Sequence, residues 1–66
     1  MKLVINGEQR EVDSVATLAD LLVLFKLENK ILVIELNRTI VDRTAYSATE
    51  LSEGDQIEIV HFVGGG

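Results

Sequence analysis

Short runs in which apolar and polar residues alternate make up most of the chain, with one stretch of helical periodicity between them. Leu3 and Ile5 alternate with Lys2 and Val4, and Asn6-Gly7 follows at once. Both turn residues tolerate positive φ, so the pair predicts a type I′ hairpin. Glu8 to Asp13, with Val12 its one clearly apolar position, reads as the second, more exposed strand. Thr17-Leu18-Ala19-Asp20 then fits a helix start. Thr17 can cap free backbone N–H groups, and Asp20 places negative charge at the positive end of the helix dipole. Leu18, Leu21, Leu22 and Phe25 recur at i, i+3, i+4 and i+7, one apolar stripe on a helix ending near Lys26-Leu27. In so small a chain that stripe is read as core rather than as a partner-binding face.

Glu28-Asn29-Lys30 is a polar break. Ile31 to Leu36 is aliphatic, bounded and too short for a typical helix, so a well-buried strand is predicted there. Asn37-Arg38 reads as a tight turn, with a short strand at Thr39-Ile40-Val41 beyond it. Arg43 to Glu53 has no clear period; Ala45, Tyr46, Ala48 and Leu51 suggest an ordered crossover with a helical turn around Ala48 to Leu51. Gly54-Asp55 marks a turn into a last strand, Gln56 to Val63. One amphipathic helix across a mixed sheet of about five strands is an α+β arrangement. A hairpin, then a helix, then a long central strand gives the β-grasp, or ubiquitin-like, topology. A single domain over residues 1–66 is expected.

Composition narrows the function. With 47% hydrophobic residues the chain is far from a disordered composition, and without cysteine it has neither disulfide staples nor thiolate metal ligands. The net charge of −5 repels phosphate backbones, which argues against a nucleic-acid partner and favours a protein partner with a basic face; it also serves solubility. No stretch has the length of a membrane span or a signal-peptide core, so a cytoplasmic location is expected. One histidine, no cysteine nucleophile and no phosphate-cradling glycine loop make an independent enzyme a poor reading, and no metal site is expected.

Three features of the last strand and its end are candidates for function. His61 would share a face with Ile57, Ile59 and Val63, as a structural or exposed histidine or as a proton carrier for the nearby tail. Val60 and Phe62 fall on the opposite face from Ile57 and Ile59. They either form an apolar patch for a partner on the open side of the sheet, or a bulge folds Phe62 back over the core. Gly64-Gly65-Gly66 has no side chains to pack and is expected to be mobile. Such a tail is either an incidental frayed end or, following the last strand of a β-grasp pattern, one that can thread a narrow channel and present its carboxylate to another enzyme. A carboxylate becomes electrophilic once its oxygen is made a good leaving group, as in an acyl-adenylate.

Taken together, the opening strand with Asn6-Gly7, the Thr17-Leu18-Ala19-Asp20-Leu21-Leu22 helix start, Leu36-Asn37 followed by Ile40-Val41, the Gly54-Asp55-Gln56-Ile57 turn and the final Gly65-Gly66 resemble the ThiS family of sulfur carriers from thiamine-thiazole synthesis. The likeness spans essentially the whole chain. It implies that an E1-like adenylating enzyme of the ThiF type uses ATP and magnesium to adenylate the carboxylate of Gly66. A persulfide delivered through a cysteine desulfurase then gives a thiocarboxylate, and a thiazole synthase of the ThiG type receives the sulfur. Gly66 would carry the sulfur, Gly65 would supply the thin approach, and no cofactor would be bound stably by the chain itself. Gly64 is one glycine beyond the family's Gly-Gly, and Arg43 to Glu53 matches no family motif. Val60 and Phe62 are expected as partner-binding residues on strand alternation and on the family's use of its open sheet face. Other readings are a carrier of a sister pathway, such as the small subunit of molybdopterin synthase, a ubiquitin-like modifier, and a plain interaction module.

Overall fold

The computed structural model describes residues 1–62. Val63 and the glycines Gly64, Gly65 and Gly66, on which the tail expectations fall, lie outside the described residues. The elements are β1 (Lys2–Ile5), β2 (Glu8–Glu11), α1 (Leu18–Leu24), β3 (Leu32–Leu36), β4 (Thr39–Val41), a 3-10 helix (Arg43–Ala48) and β5 (Gln56–His61). They form a five-stranded sheet in the order β2-β1-β5-β3-β4. β1 and β5 run parallel and every other neighbouring pair is antiparallel. This is the mixed sheet of the β-grasp, with the last strand at its centre.

One face of that sheet meets the helix. Leu3 and Ile5 of β1, Ile34 of β3, and Ile57 and Ile59 of β5 are buried against Leu18, Leu21 and Leu22 of α1. The helical stripe is therefore core, and each such side chain contributes about 1.5–3 kcal/mol by leaving water. Val12 closes one side of the core and Leu51 another.

Helix α1 begins and ends by local chemistry. Thr17 accepts the Asp20 N–H through its side chain, and the Asp20 carboxylate accepts the Thr17 N–H, a reciprocal capping box. At the other end Lys26 takes φ +60°. Its N–H reaches Val23 O at 3.0 Å, and the Leu27 N–H reaches Leu22 O at 2.7 Å. That is a Schellman stop with lysine where glycine is usual, and it ends the regular helix at Leu24, slightly before the expected point.

The two hairpins share a device. Asn6 and Gly7 have φ of +50° and +81°, and Asn37 and Arg38 have φ of +50° and +72°. Both turns thus use two left-handed residues, as type I′ requires. Each asparagine also reaches across to β5. Asn6 pairs its amide with the main chain of Ile59. Asn37 accepts the Gln56 N–H at 2.9 Å and donates to Asp55 at 3.1 Å.

Two expectations are corrected. Ile31 to Leu36 is not buried throughout: Ile31 lies outside β3 and is exposed, Val33 is exposed, and only Ile34 is fully buried. The strand has a single covered face, because the one long helix covers only one side of the sheet. The helical turn in the crossover falls at Arg43–Ala48 rather than around Ala48 to Leu51. Asp42 caps it early by accepting from the N–H and hydroxyl of Thr44. Residues 49–51 are then drawn into extended pairing with the approach to α1, with Leu18 N–H on Thr49 O at 3.0 Å and Leu51 N–H on Ala16 O at 2.8 Å.

Candidate functional site

Alternation along β5 divides its side chains between two faces. Ile57 and Ile59 enter the core, whereas Val60 and Phe62 emerge on the face that no helix covers, each 52% exposed. The pairing runs without a bulge: Val60 lies opposite Val33, and the Phe62 N–H continues the ladder to Ile31 O at 3.0 Å. Phe62 is therefore not folded back over the core. Val33, Val60 and Phe62 make an apolar patch on that face at the end of β5, with Ile31, outside β3, at its edge between this face and the helix side. Ile40 of β4 extends it one row further down, beside Glu35.

That next row is acidic at its centre. Glu35 of β3 and Glu58 of β5 are direct cross-strand partners on the same open face. Ile31 and Val33 were missed as surface residues when the aliphatic run was read as buried. The parity of Glu35 carried the signal, because a carboxylate two and four positions from Val33 and Ile31 marks their shared face as open.

His61 points to the other side. With Ile5, Asn6, Phe25, Leu27 and Ile59 it lines a shallow groove of about 230 Å³ between β5 and the end of α1. Arg10 borders that groove, stacked over the Phe25 ring at 5.8 Å and paired with Glu8 at 3.3 Å. His61 is thus separated from Val60 and Phe62 by the thickness of the sheet. A larger groove of about 350 Å³, lined by Leu22, Val23, Ile31, Arg43 and Tyr46 among others, also opens on the helix side.

The ionisable groups with displaced titration have structural causes. The Asp20 carboxyl is lowered by the N–H groups of Ala16 and Thr17. Asp42 is lowered by the hydroxyl and N–H of Thr44. The Met1 amine is raised and Glu11 lowered by their mutual hydrogen bond at 2.8 Å. Among the described residues no cluster of three or more His, Asp or Glu is placed to hold a metal ion. Nor is any helix among them long and apolar enough to cross a membrane. What the open face offers, among the described residues, is exposed apolar surface at Val33, Val60 and Phe62.

Known proteins match this architecture and sequence. The sequence model of the ThiS family matches residues 3–66. The sulfur carrier protein ThiS of Bacillus subtilis is 52% identical over 50 residues, which cover 76% of each chain. A thiazole synthase of Magnetococcus marinus is 41% identical over all 66 residues, which span 20% of that longer protein. Among solved structures, the crystal structure of the thiamine biosynthesis protein ThiS from Geobacter metallireducens superimposes with a TM-score of 0.83 at 33% identity, covering both chains fully.

Proposed function

The chain belongs to the ThiS family, the sulfur carriers of thiamine biosynthesis, and from that premise we propose that the carboxylate of Gly66 is the group that holds the sulfur. The observation that carries this reading is the extent of the family match, which runs through Gly66. The thiamine branch is favoured over a molybdopterin-type carrier by the relatives themselves, which are a ThiS and a thiazole synthase.

In this reading the chain is not itself an enzyme but a protein co-substrate, working in the cytoplasm. An oxygen of the Gly66 carboxylate attacks the α-phosphorus of ATP in an E1-like partner that supplies magnesium, and pyrophosphate leaves. Sulfur from a cysteine-derived persulfide then displaces AMP at the acyl carbon, and a thiol cleaves the resulting S–S bond to leave the thiocarboxylate. Glycine leaves the acyl carbon open to attack, and Gly65 and Gly64 keep the approach free of side chains. Val60 and Phe62 give the partner a surface to grip just before the tail. A thiazole synthase is the acceptor. The likeness of the whole chain to a fifth of one thiazole synthase supports that pairing.

The test is removal of Gly65-Gly66. The shortened chain should unfold at the same temperature as the full one and transfer no sulfur to thiazole synthase. Retained transfer would refute the reading.

A further inference from the structure

Of the chain's three asparagines, Asn6 alone is followed by glycine; Asn29 precedes Lys30 and Asn37 precedes Arg38. An Asn-Gly pair is self-reactive in an open chain. The Gly7 amide nitrogen, unshielded by any side chain of its own, gives its proton to solvent base and attacks Cγ of Asn6. An N–Cγ bond forms, the Cγ–Nδ2 bond breaks, and Nδ2 leaves as ammonia, which closes a five-membered succinimide. Water then opens the ring at either carbonyl. One cut gives aspartate; the other gives isoaspartate, in which the main chain runs through Cγ and gains a methylene. The net change is one NH exchanged for one O, with neither oxidant nor enzyme required.

The folded hairpin opposes this at two points. Ring closure needs the Cα–Cβ bond of Asn6 to eclipse the bond from its carbonyl carbon to Gly7 N, which sets ψ at about −120°, the type II′ value. The turn is instead type I′, with φ of +50° at Asn6 and +81° at Gly7. Its first central residue has ψ of about +30°, which leaves those two bonds roughly 150° apart. The side chain is held as well. Its Oδ1 accepts the Ile59 N–H at 2.7 Å and its Nδ2 donates to Ile59 O at 3.2 Å, so Cγ reaches Gly7 only after both bonds break. Asn37 in the second hairpin is bonded to Gln56 and Asp55 in a similar way, but there the Arg38 side chain shields the following nitrogen.

We propose that Asn6-Gly7 is a self-modification site that the fold holds shut while β5 is in place, and that its conversion permanently weakens the hold on β5. Aspartate at this position still accepts the Ile59 N–H, but it turns a second carboxylate oxygen towards Ile59 O where the amide donated. A part-buried carbonyl then loses its partner. Isoaspartate lengthens a two-residue loop that is matched to the pairing of Ile5 with Glu8. Ile59 lies three residues before Phe62, so the strand that loosens is the one leading to the C-terminal glycines. The conversion runs one way, and refolding does not repair it.

The experiment holds the full chain at mildly alkaline pH, folded in buffer and unfolded in guanidinium chloride, and follows both by intact mass and fragmentation. The unfolded chain should exchange NH for O at Asn6 well ahead of Asn29 and Asn37. The folded chain should convert at least about tenfold more slowly, because it reacts through opened states alone. A folded rate within about twofold of the unfolded one would overturn the proposal, as would conversion at Asn29 or Asn37 ahead of Asn6. Asn6→Asp, made directly, should unfold at a lower guanidinium concentration than the unmodified chain. An equal or higher midpoint would overturn the weakened hold on β5.

Discussion

The side-chain amide of Asn6 pairs with both main-chain groups of Ile59: its Oδ1 accepts the Ile59 N–H at 2.7 Å, and its Nδ2 donates to Ile59 O at 3.2 Å. Strand β1 has already ended at Ile5, whose partner is Ile57. The asparagine side chain therefore extends the ladder one step beyond the turn. One residue both closes the hairpin in a left-handed conformation and holds the strand that leads to the tail. Glycine satisfies the first role and not the second, which explains asparagine at this position.

Replacing Asn6 separates the two roles. Asn6→Gly keeps access to φ +50° and loses only the clamp, whereas Asn6→Ala loses both. Stability in urea should fall by about 1–3 kcal/mol for Asn6→Gly, because a part-buried N–H and C=O lose their partners. A further loss of about 1 kcal/mol is expected for Asn6→Ala. Equal losses would mean that turn geometry is not a separate contribution.

The second hairpin predicts a gain. Arg38 holds φ +72° where Gly7 stands in the first turn. Arg38→Gly should raise stability by about 0.5–1 kcal/mol, relief of left-handed strain being partly offset by a more flexible unfolded chain. A loss on denaturation would show that Arg38 makes a stabilising contact.

Much of this was legible in the sequence, for identifiable reasons. Asn6-Gly7, the Thr17–Asp20 cap and the Leu18-Leu21-Leu22 stripe are local signals, and local chemistry decides them. Alternation against Ile57 and Ile59 allowed the exposure of Val60 and Phe62 but left open a bulge folding Phe62 back, and the regular β5–β3 register decides for exposure. What sequence reading missed depends on distant partners. The clamp from Asn6 to Ile59 joins residues 53 apart, and Thr49 to Leu51 is extended because Ala16 to Leu18 lies alongside it. The open face of β3 was hidden by reading a run of aliphatic residues as uniformly buried, although Glu35 interrupted it.

Acid should loosen the start of α1. The ordinary value for Asp20 is 3.8, and hydrogen bonds from Ala16 and Thr17 lower it in the fold. A depressed carboxyl stabilises the folded state above its ordinary value, and that contribution is lost as pH falls through the lowered one. Asp20→Asn should therefore be less stable than the unmodified chain at neutral pH, with the two melting curves converging below about pH 4. A constant difference down to pH 2 would contradict the assignment.

The patch predicts a split between binding and stability. Val60→Ser and Phe62→Ala remove exposed apolar surface outside the core, so each should leave stability within about 0.5 kcal/mol of the unmodified chain. Partner affinity, read by calorimetry with thiazole synthase, should fall about tenfold for Phe62→Ala, as for an aromatic anchor. Unchanged affinity in both variants would remove the open face as the docking surface.

The central claim is that sulfur is carried on Gly66, and intact-mass analysis tests it most directly. The chain is incubated with an E1-like adenylating enzyme, ATP, magnesium and a persulfide source, and then weighed and fragmented. The account predicts a gain equal to exchanging one oxygen for one sulfur, located at Gly66. An unchanged mass, with an adenylating enzyme proven active on another carrier, would contradict it.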